Sequence, residues 1–245
     1  MELCADQVQQ IDEGWVARTP SLPAVWGLNH VRLLAEVTPD RAVELCRRHL
    51  EGLAFHHIFV DHEAAASRLA ESLGEAGWEV DVDVHSVLAR DPDREADTSM
   101  VIEPEEEEAL AVMGRWQAED RALNVNEDGL RQLLESERLT WRARRARRLG
   151  IRGPDGRLAG ITLVFSDGPV AQVEDVYVIP EARGRGYARA LVTRAAALAR
   201  EHHELTFIVA DHNDWPKQLY AKLGFDPVGR TCVLHRRLTD RPGGQ

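Results

Sequence analysis

One stretch of the sequence, residues 173–201, restricts the fold strongly, because its hydrophobic period changes within a few positions. Residues 173–179 are mostly β-branched or aromatic, which favours a buried strand, and Pro180 ends it. From Tyr187 onward, apolar residues recur every three or four positions, as in an amphipathic helix. The chain between the two is Arg183, Gly184, Arg185 and Gly186. The pattern predicts a strand that turns through two glycines into a helix.

Such a turn has the properties of an anion site. The first N–H groups of a helix have no partner within the helix, and the helix dipole adds partial positive charge there. Gly184 and Gly186 let a ligand approach the backbone closely, and Arg183 and Arg185 add full charges. The turn is therefore predicted to hold a diphosphate.

The type of diphosphate site follows from the spacing. The dinucleotide fingerprint needs Gly or Ala at its sixth position. Counted from Gly184, this position is Arg189, so the fingerprint does not match. The Gly-Lys-Ser/Thr of a P-loop is also absent. The sequence does contain Arg-x-x-Gly-x-Ala, from Arg183 through Gly186 to Ala188. Here it resembles the GNAT superfamily of acetyl-CoA-dependent N-acetyltransferases, whose motif follows a strand.

The downstream order strengthens the resemblance, which covers roughly residues 99–237. A strand-like run at 205–210 is followed by Asn213 and then by Leu-Tyr-x-x-Leu-Gly-Phe, which contains Tyr220. The resemblance implies an α/β fold, with a mixed, mostly antiparallel twisted sheet flanked by helices. It also implies acetyl-CoA as co-substrate and no metal.

The resemblance also implies roles for individual residues. The pantetheine arm would lie along the backbone of the strand that ends in Val176–Val178, with Asn213 on its other side. Asn213 has a second interpretation, as the N-cap of the following helix. The predicted cofactor-binding residues are Val176, Tyr177, Val178, Arg183, Gly184, Arg185, Gly186, Tyr187, Ala188 and Asn213.

The resemblance gives Tyr220 the role of general acid for the departing thiolate, although a tyrosine packed in the core is the alternative. Glu174 is the favoured base, acting through water. Because neighbouring strand residues point to opposite faces, only one of Glu174 and Asp175 can face the acceptor cleft. Some protein N-terminal acetyltransferases of the superfamily carry a glutamate base where this sequence has Ile208, which argues against ribosomal-protein substrates.

The N-terminal half shows a similar element order without a glycine-rich turn. Residues 1–20 are predicted as a short helix and a loop, and strands are expected at 25–31, 56–61 and 78–88, with helices from Thr38 and from Glu63. We therefore expect a degenerate GNAT-like domain without a phosphate-binding loop at 1–95, and a GNAT acetyltransferase domain at 99–240. The charged segment 89–98 is the expected linker, and 225–229 and 231–235 are expected to be two short closing strands.

Composition limits the kinds of binding partner and the cellular location that we expect. The net charge of −11 and the pI near 5.4 argue against nucleic acid, and either favour a cationic substrate or only aid solubility. No apolar run is long enough to span a membrane, and no secretion signal is visible. The cluster Arg142–Arg148 either binds an anion or a partner, or is a solvated strand and helix end. A cytoplasmic location is expected, since Cys4, Cys46 and Cys232 form no CxxC motif.

No metal is expected, because the histidine groups lack a zinc spacing; these are His56, His57 and His62, and His202 and His203. The predicted reaction moves an acetyl group from acetyl-CoA to a primary amine of a small molecule. The alternatives are acetylation of a protein lysine or N-terminus, and a non-catalytic acyl-CoA-binding module. Either a monomer or a homodimer is compatible with the sequence.

Overall fold

The computed structural model describes residues 4–119 and 125–238. Its chain forms two compact units. The first consists of Met1–Asp83, Asp211–Asn213 and Arg230–Gln245, and the second of Val84–Ala210 and Asp214–Gly229. These units are not two successive blocks, unlike the boundaries 1–95 and 99–240 expected from the sequence. The reason is that the last part of the chain pairs with a strand of the first unit.

The first unit is a sheet with two helices. Its strands are β1 (Gln7–Ile11), β2 (Gly14–Arg18), β3 (His30–Leu33) and β4 (Phe55–Val60), with helices α1 (Pro39–His49) and α2 (Glu63–Glu75). Strands β1, β2 and β3 pair antiparallel, and β3 and β4 pair parallel across α1. Strand β5 (Glu79–Leu88) follows and is divided between the units.

Two expectations for this half need correction. Residues 7–18 form a hairpin of two strands rather than a short helix and a loop. The strand expected at 25–31 is instead a 3₁₀ helix (Trp26–Leu28) followed by β3, which begins only at His30. The crossover between parallel strands runs through α1, which Thr38 caps by accepting the N–H of Arg41 through its hydroxyl at 3.3 Å. The connection from β3 to α1 contains no glycine.

The second unit is a mixed sheet with helices on both faces. Its strands are β6 (Val101–Ile102), β7 (Arg147–Arg152), β8 (Leu158–Asp167), β9 (Val170–Val178) and β10 (Leu205–Asp211). Its helices are α3 (Glu106–Glu119), α4 (Glu127–Ala143), α5 (Tyr187–Arg200) and α6 (Pro216–Lys222). Strands β6 to β9 pair antiparallel and β10 joins β9 in parallel. The expected mixed, mostly antiparallel α/β fold is confirmed.

Each face of this sheet has its own core. Val173 and Val178 of β9 pack with Leu191 and Ala195 of α5 on one face. On the other face, the core of α3, α4 and β8 includes Tyr177 of β9. The long strand β11 (Phe225–Arg237) replaces the two short closing strands that were expected, and it contributes to both units.

The acidic run 103–108 and the basic cluster of the sequence pair with each other. Arg152 binds Glu108 at 2.9 Å through two nitrogens, and Arg142 and Arg148 both approach Glu106. Arg147 pairs with Glu103. The basic cluster is therefore largely a set of exposed ion pairs, each worth little by itself.

Candidate active site

The turn between β9 and α5 is open backbone at a helix N-terminus. After a short 3₁₀ helix (Pro180–Ala182), Gly184 and Gly186 have φ angles of 77° and 80°, in the left-handed region that favours glycine. A methyl group added at either glycine would meet no atom within 4 Å. The space beside this backbone is therefore accessible to a ligand.

The first turn of α5 has no side-chain cap. Gly186 is the N-cap, and the first bond along the helix runs from the N–H of Ala190 to the Gly186 carbonyl at 3.0 Å. The N–H groups of 187–189 therefore lack an acceptor within the helix. Arg183 and Arg185 are exposed, and Arg183 donates through Nε to the Val178 carbonyl at 3.1 Å. This arrangement fits a diphosphate.

The two other predicted residues of the turn lie on the helix itself. Tyr187 is buried in the core between α5 and the sheet, and Ala188 is half-buried and packs against the same core. Tyr187 therefore anchors the start of α5. Its backbone N–H is one of those without an acceptor in the helix.

Strand β9 has a β-bulge at the two candidate bases. Ile161 of β8 lies opposite Tyr177, whereas Leu163 lies opposite Glu174, so β9 holds one extra residue. Asp175 is in the bulge with φ 54°, and the Thr162 hydroxyl donates to the Glu174 carbonyl at 2.8 Å. The alternation argument used to separate the two carboxylates therefore does not apply, because it assumes a regular strand.

Beyond the bulge, β9 leaves its parallel neighbour. The registered pairs between β9 and β10 begin at Val170 with Leu205 and end at Val173 with Ile208. Val176–Val178 lie past the last of these pairs. An edge without a strand partner can pair with an extended ligand, as in β-strand addition.

Glu174 lies in a polar network on the α3 and α4 face of the sheet. It accepts a hydrogen bond from the Gln172 amide, and Arg144 of the α4 end donates to the Gln172 oxygen at 3.1 Å. Gln172 and Glu174 share a face because they are two residues apart in the regular part of β9. The network fixes the orientation of the Glu174 carboxylate.

A third carboxylate, Glu137 of α4, belongs to this neighbourhood. It accepts a hydrogen bond from Gln117 of α3 at 3.0 Å. Burial raises the pKa of Glu137 well above its ordinary value, and the negative charges of Asp175 and Glu174 raise it further. Burial also raises the pKa of Asp175, to about 6, against the opposing effect of Arg144. Asp175 is thus an acidic group that can exchange a proton near neutral pH.

Tyr220 lies on α6 and is 6% exposed. Its ring is 6.4 Å from that of Phe225. Burial raises the pKa of Tyr220, and the negative charges of Glu174, Asp214 and Asp175 add to this. The phenol is therefore neutral and able to donate a proton. The structure brings Tyr220 into electrostatic range of both candidate bases.

The segment expected to be a linker is fixed against the end of α6. The N–H groups of Ala89 and Arg90 both donate to the Gly224 carbonyl, at 2.9 and 3.3 Å. Asp93 forms an ion pair with Arg189 of α5 at 3.0 Å. Gly224 itself has φ 94°, as expected for the residue that ends this helix.

A side-chain cluster that the sequence did not indicate joins α3 to β9. The Tyr177 hydroxyl donates to Glu119 at 2.8 Å, and Trp116 stacks on the Tyr177 ring with centroids 5.6 Å apart. Arg115 binds both Glu119 and Glu181, the latter in the 3₁₀ helix before the turn. The Tyr177 side chain is thus occupied by packing, which leaves its backbone for a ligand.

Asn213 follows β10 and is counted with the first unit. Its backbone N–H donates to the Asp211 carboxylate at 2.6 Å. The N-cap of α6 is Trp215, so the interpretation of Asn213 as that cap is wrong. Ile208 is buried in the core of the second unit, which leaves no base at that position.

Residues 110–225 match the sequence model of the acetyltransferase (GNAT) family. Together with the fold, this shows that the chain carries a GNAT acetyltransferase domain. No curated protein sequence matches the chain significantly.

Solved structures share the fold over nearly the whole chain. A functionally unknown conserved protein from Staphylococcus epidermidis has a TM-score of 0.73 at 14% identity, covering 96% of this chain and 95% of its own. A GCN5-related N-acetyltransferase from Kribbella flavida has a TM-score of 0.62 at 18% identity, with coverages of 99% and 92%. A tandem GNAT protein from the clavulanic acid biosynthesis pathway has a TM-score of 0.53 at 18% identity, with coverages of 82% and 69%.

The element order supports a second GNAT-like unit. Three antiparallel strands followed by helix, parallel strand, helix and strand occur first from β1 to β5 and again from β7 to β11. Within residues 4–119 and 125–238, no helix is long and apolar enough to cross a membrane. The same residues contain no group of three or more His, Cys, Asp or Glu side chains arranged to hold a metal ion.

Proposed function

We propose that the second unit transfers an acetyl group from acetyl-CoA to a primary amine of a small molecule. The observation that carries the proposal is the uncapped N-terminus of α5 behind two left-handed glycines, next to the bulge of β9. Membership in the GNAT family supports acyl transfer in general. The choice of acetyl-CoA and of an amine acceptor is our inference.

In this proposal the diphosphate of acetyl-CoA is held by the backbone of 184–188 and by Arg183 and Arg185. The pantetheine arm pairs with Val176–Val178, the part of β9 beyond its registered pairs with β10. One N–H of that segment polarises the thioester carbonyl. A preorganised donor of this kind lowers a barrier by about 3–4 kcal/mol.

In the chemical step, the protein side chains need only to transfer protons. The amine nitrogen attacks the thioester carbon, the carbon–sulfur bond breaks, and the amide and the thiolate form. Glu174 accepts the proton of the ammonium through water, and the neutral phenol of Tyr220 gives a proton to the thiolate. Asp175 is the alternative base, and its pKa of about 6 suits that role.

The charges beside the bulge lead us to propose that the acceptor is a cation. Glu174 and Asp175 provide negative charge there, and Arg144 is the cation that opposes Asp175. A protonated amine is attracted to such a site before it loses its proton.

The test is an assay of CoA release from acetyl-CoA over a panel of primary amines. We expect turnover with at least one amine, and Arg185→Glu should raise the KM for acetyl-CoA. Arg157→Glu is the matched control, because it reverses the charge of an exposed arginine in the turn between β7 and β8. If Arg185→Glu and Arg157→Glu behave alike, the turn is not the coenzyme site.

Tyr220→Phe and Glu174→Gln separate an enzyme from a binding module. Both variants should lose turnover, by about a hundredfold or more, while they bind coenzyme A as the unmodified protein does. Coenzyme A binding without acetylation of any amine would favour a non-catalytic module. Acetylation of lysine-containing peptides but not of small amines would favour a protein acetyltransferase.

A further inference from the structure

A cleft in the first unit lies beside the last turn of α1, the start of β4 and the end of β11. Its volume is about 520 Å³. Sites for small molecules usually measure about 300–1,000 Å³. The lining residues used below are Arg47, Leu50, Leu53, His56, Trp78 and Arg236.

The bottom of the cleft is apolar and aromatic. Leu50, Leu53 and Trp78 are core residues, each at most 9% exposed. The His56 ring stacks on Trp78, with centroids 5.9 Å apart and planes at 28°. Burial, together with the charges of nearby arginines, lowers the pKa of His56, so the ring is neutral at pH 7. This surface suits the apolar body of a ligand rather than a charge.

The rim carries positive charge from two chain segments. Arg236 of β11 lies directly opposite His56 of β4, so the two side chains share a face of the sheet. Arg47 reaches the same cleft from α1. The charges of Arg47 and Arg236 both act on His56, so both guanidinium groups lie near the His56 ring.

Ion pairing distinguishes these two arginines from several arginines of the second unit. Among residues 4–119 and 125–238, neither Arg47 nor Arg236 has an ion-pair partner, whereas Arg138, Arg147 and Arg152 each pair with a glutamate. Arg18 offsets part of the negative charge at the end of α1, which would repel an anion. It donates to His49 at 2.7 Å and to Glu51 at 3.3 Å. The lining holds three arginines, Arg47, Arg236 and Arg237, and one carboxylate, Glu51. In a chain of net charge −11, this cleft is therefore a local cationic site.

We propose that the cleft binds a small organic acid. Its carboxylate lies between Arg47 and Arg236, and its apolar body rests on Leu50, Leu53 and Trp78. The ligand has the opposite charge to the amine acceptor proposed for the second unit. The first unit, which lacks the glycine turn, thereby has a ligand of its own.

The experiment is calorimetric titration of the full chain with benzoate, and with benzyl alcohol as the uncharged analogue. We expect benzoate to bind at millimolar concentration or below and benzyl alcohol to bind at least about tenfold more weakly. Arg47→Glu and Arg236→Glu should each weaken benzoate binding by at least about tenfold. Arg48→Glu, at an exposed position of the same helix outside the cleft, is the matched control and should not.

The charge reversals lie at exposed positions, and circular dichroism of each variant verifies that it is folded. The proposal is overturned if benzoate does not bind, if benzyl alcohol binds equally well, or if Arg48→Glu weakens binding as much as the two rim variants. None of these outcomes depends on acetyl transfer, so the test is independent of the proposed enzyme activity.

Discussion

Replacing Gly224 by alanine tests how firmly the segment after β5 is attached to the end of α6. Gly224 has φ 94°, and a methyl group built on it would lie 2.1 Å from the carbonyl oxygen of Arg90 and 2.9 Å from its carbonyl carbon. Both the backbone angle and the contact therefore oppose a side chain at this position.

The cost can be worked out from these two effects. The left-handed conformation costs a non-glycine residue about 1–2 kcal/mol. To clear the methyl group, the Arg90 carbonyl must move, which disrupts the bonds from Ala89 and Arg90 to the Gly224 carbonyl. Each is worth about 1 kcal/mol net, which gives a total loss of about 3–4 kcal/mol. For a chain of this size, the melting temperature should fall by about 6–16 °C.

Thermal and urea unfolding of three glycine variants measures this loss of stability. Gly156→Ala isolates the conformational cost, because Gly156 has φ 78° with no atom within 4 Å of the added methyl, and it should lose only about 1–2 kcal/mol. Gly229 has neither a left-handed φ angle nor an atom within 4 Å of an added methyl group, so Gly229→Ala should hardly change the free energy of unfolding. Equal losses for Gly224→Ala and Gly156→Ala would refute the argument, since the contact with Arg90 would then contribute nothing.

Three further predictions concern the candidate active site. The pKa of Asp175 is raised to about 6, so its ionisation destabilises the folded state as pH rises from about 4 to 6. Asp175→Asn should therefore become more stable than the unmodified protein as the pH rises across that range, by roughly 1–3 kcal/mol at pH 7. Urea unfolding at several pH values measures this difference. If the carboxylate is solvated, the difference will not change with pH. Thr162→Val should cost about 1–3 kcal/mol in urea unfolding, because the buried Glu174 carbonyl loses its hydroxyl donor, and a neutral result would contradict this. Gly186→Ala should weaken coenzyme A binding by about tenfold in calorimetry and cost about 1–2 kcal/mol of stability; unchanged affinity would argue against the turn as the binding site.

The turn before α5 could be predicted because its signal is local. Gly184 and Gly186 are needed for the backbone conformation of the turn itself, and the change of hydrophobic period lies on either side of them. The hairpin at residues 7–18 carries no such signal. Its first strand, Gln-Val-Gln-Gln-Ile, is almost entirely exposed and polar, so no alternation of buried residues marks it as a strand.

Long-range features of the site could not be predicted in the same way. The bulge at Asp175 is defined by the register of β8 against β9, which the sequence of β9 does not contain. Glu137 looks like its neighbour Glu135 in sequence, and only the packing of α4 buries it. The position of Trp141, one helical turn later and buried, is the one available hint of the inward face.

The division of β11 has a consequence for synthesis of the protein. The first unit is drawn from both ends of the polypeptide, because residues 230–237 complete it by pairing with β4. A ribosome adds about 5–20 residues per second, so β4 waits on the order of ten to thirty seconds for the strand that covers its edge. During that delay the nascent N-terminal sheet exposes an edge of unpaired backbone groups. Chaperones bind such edges, and other chains can pair with them and aggregate.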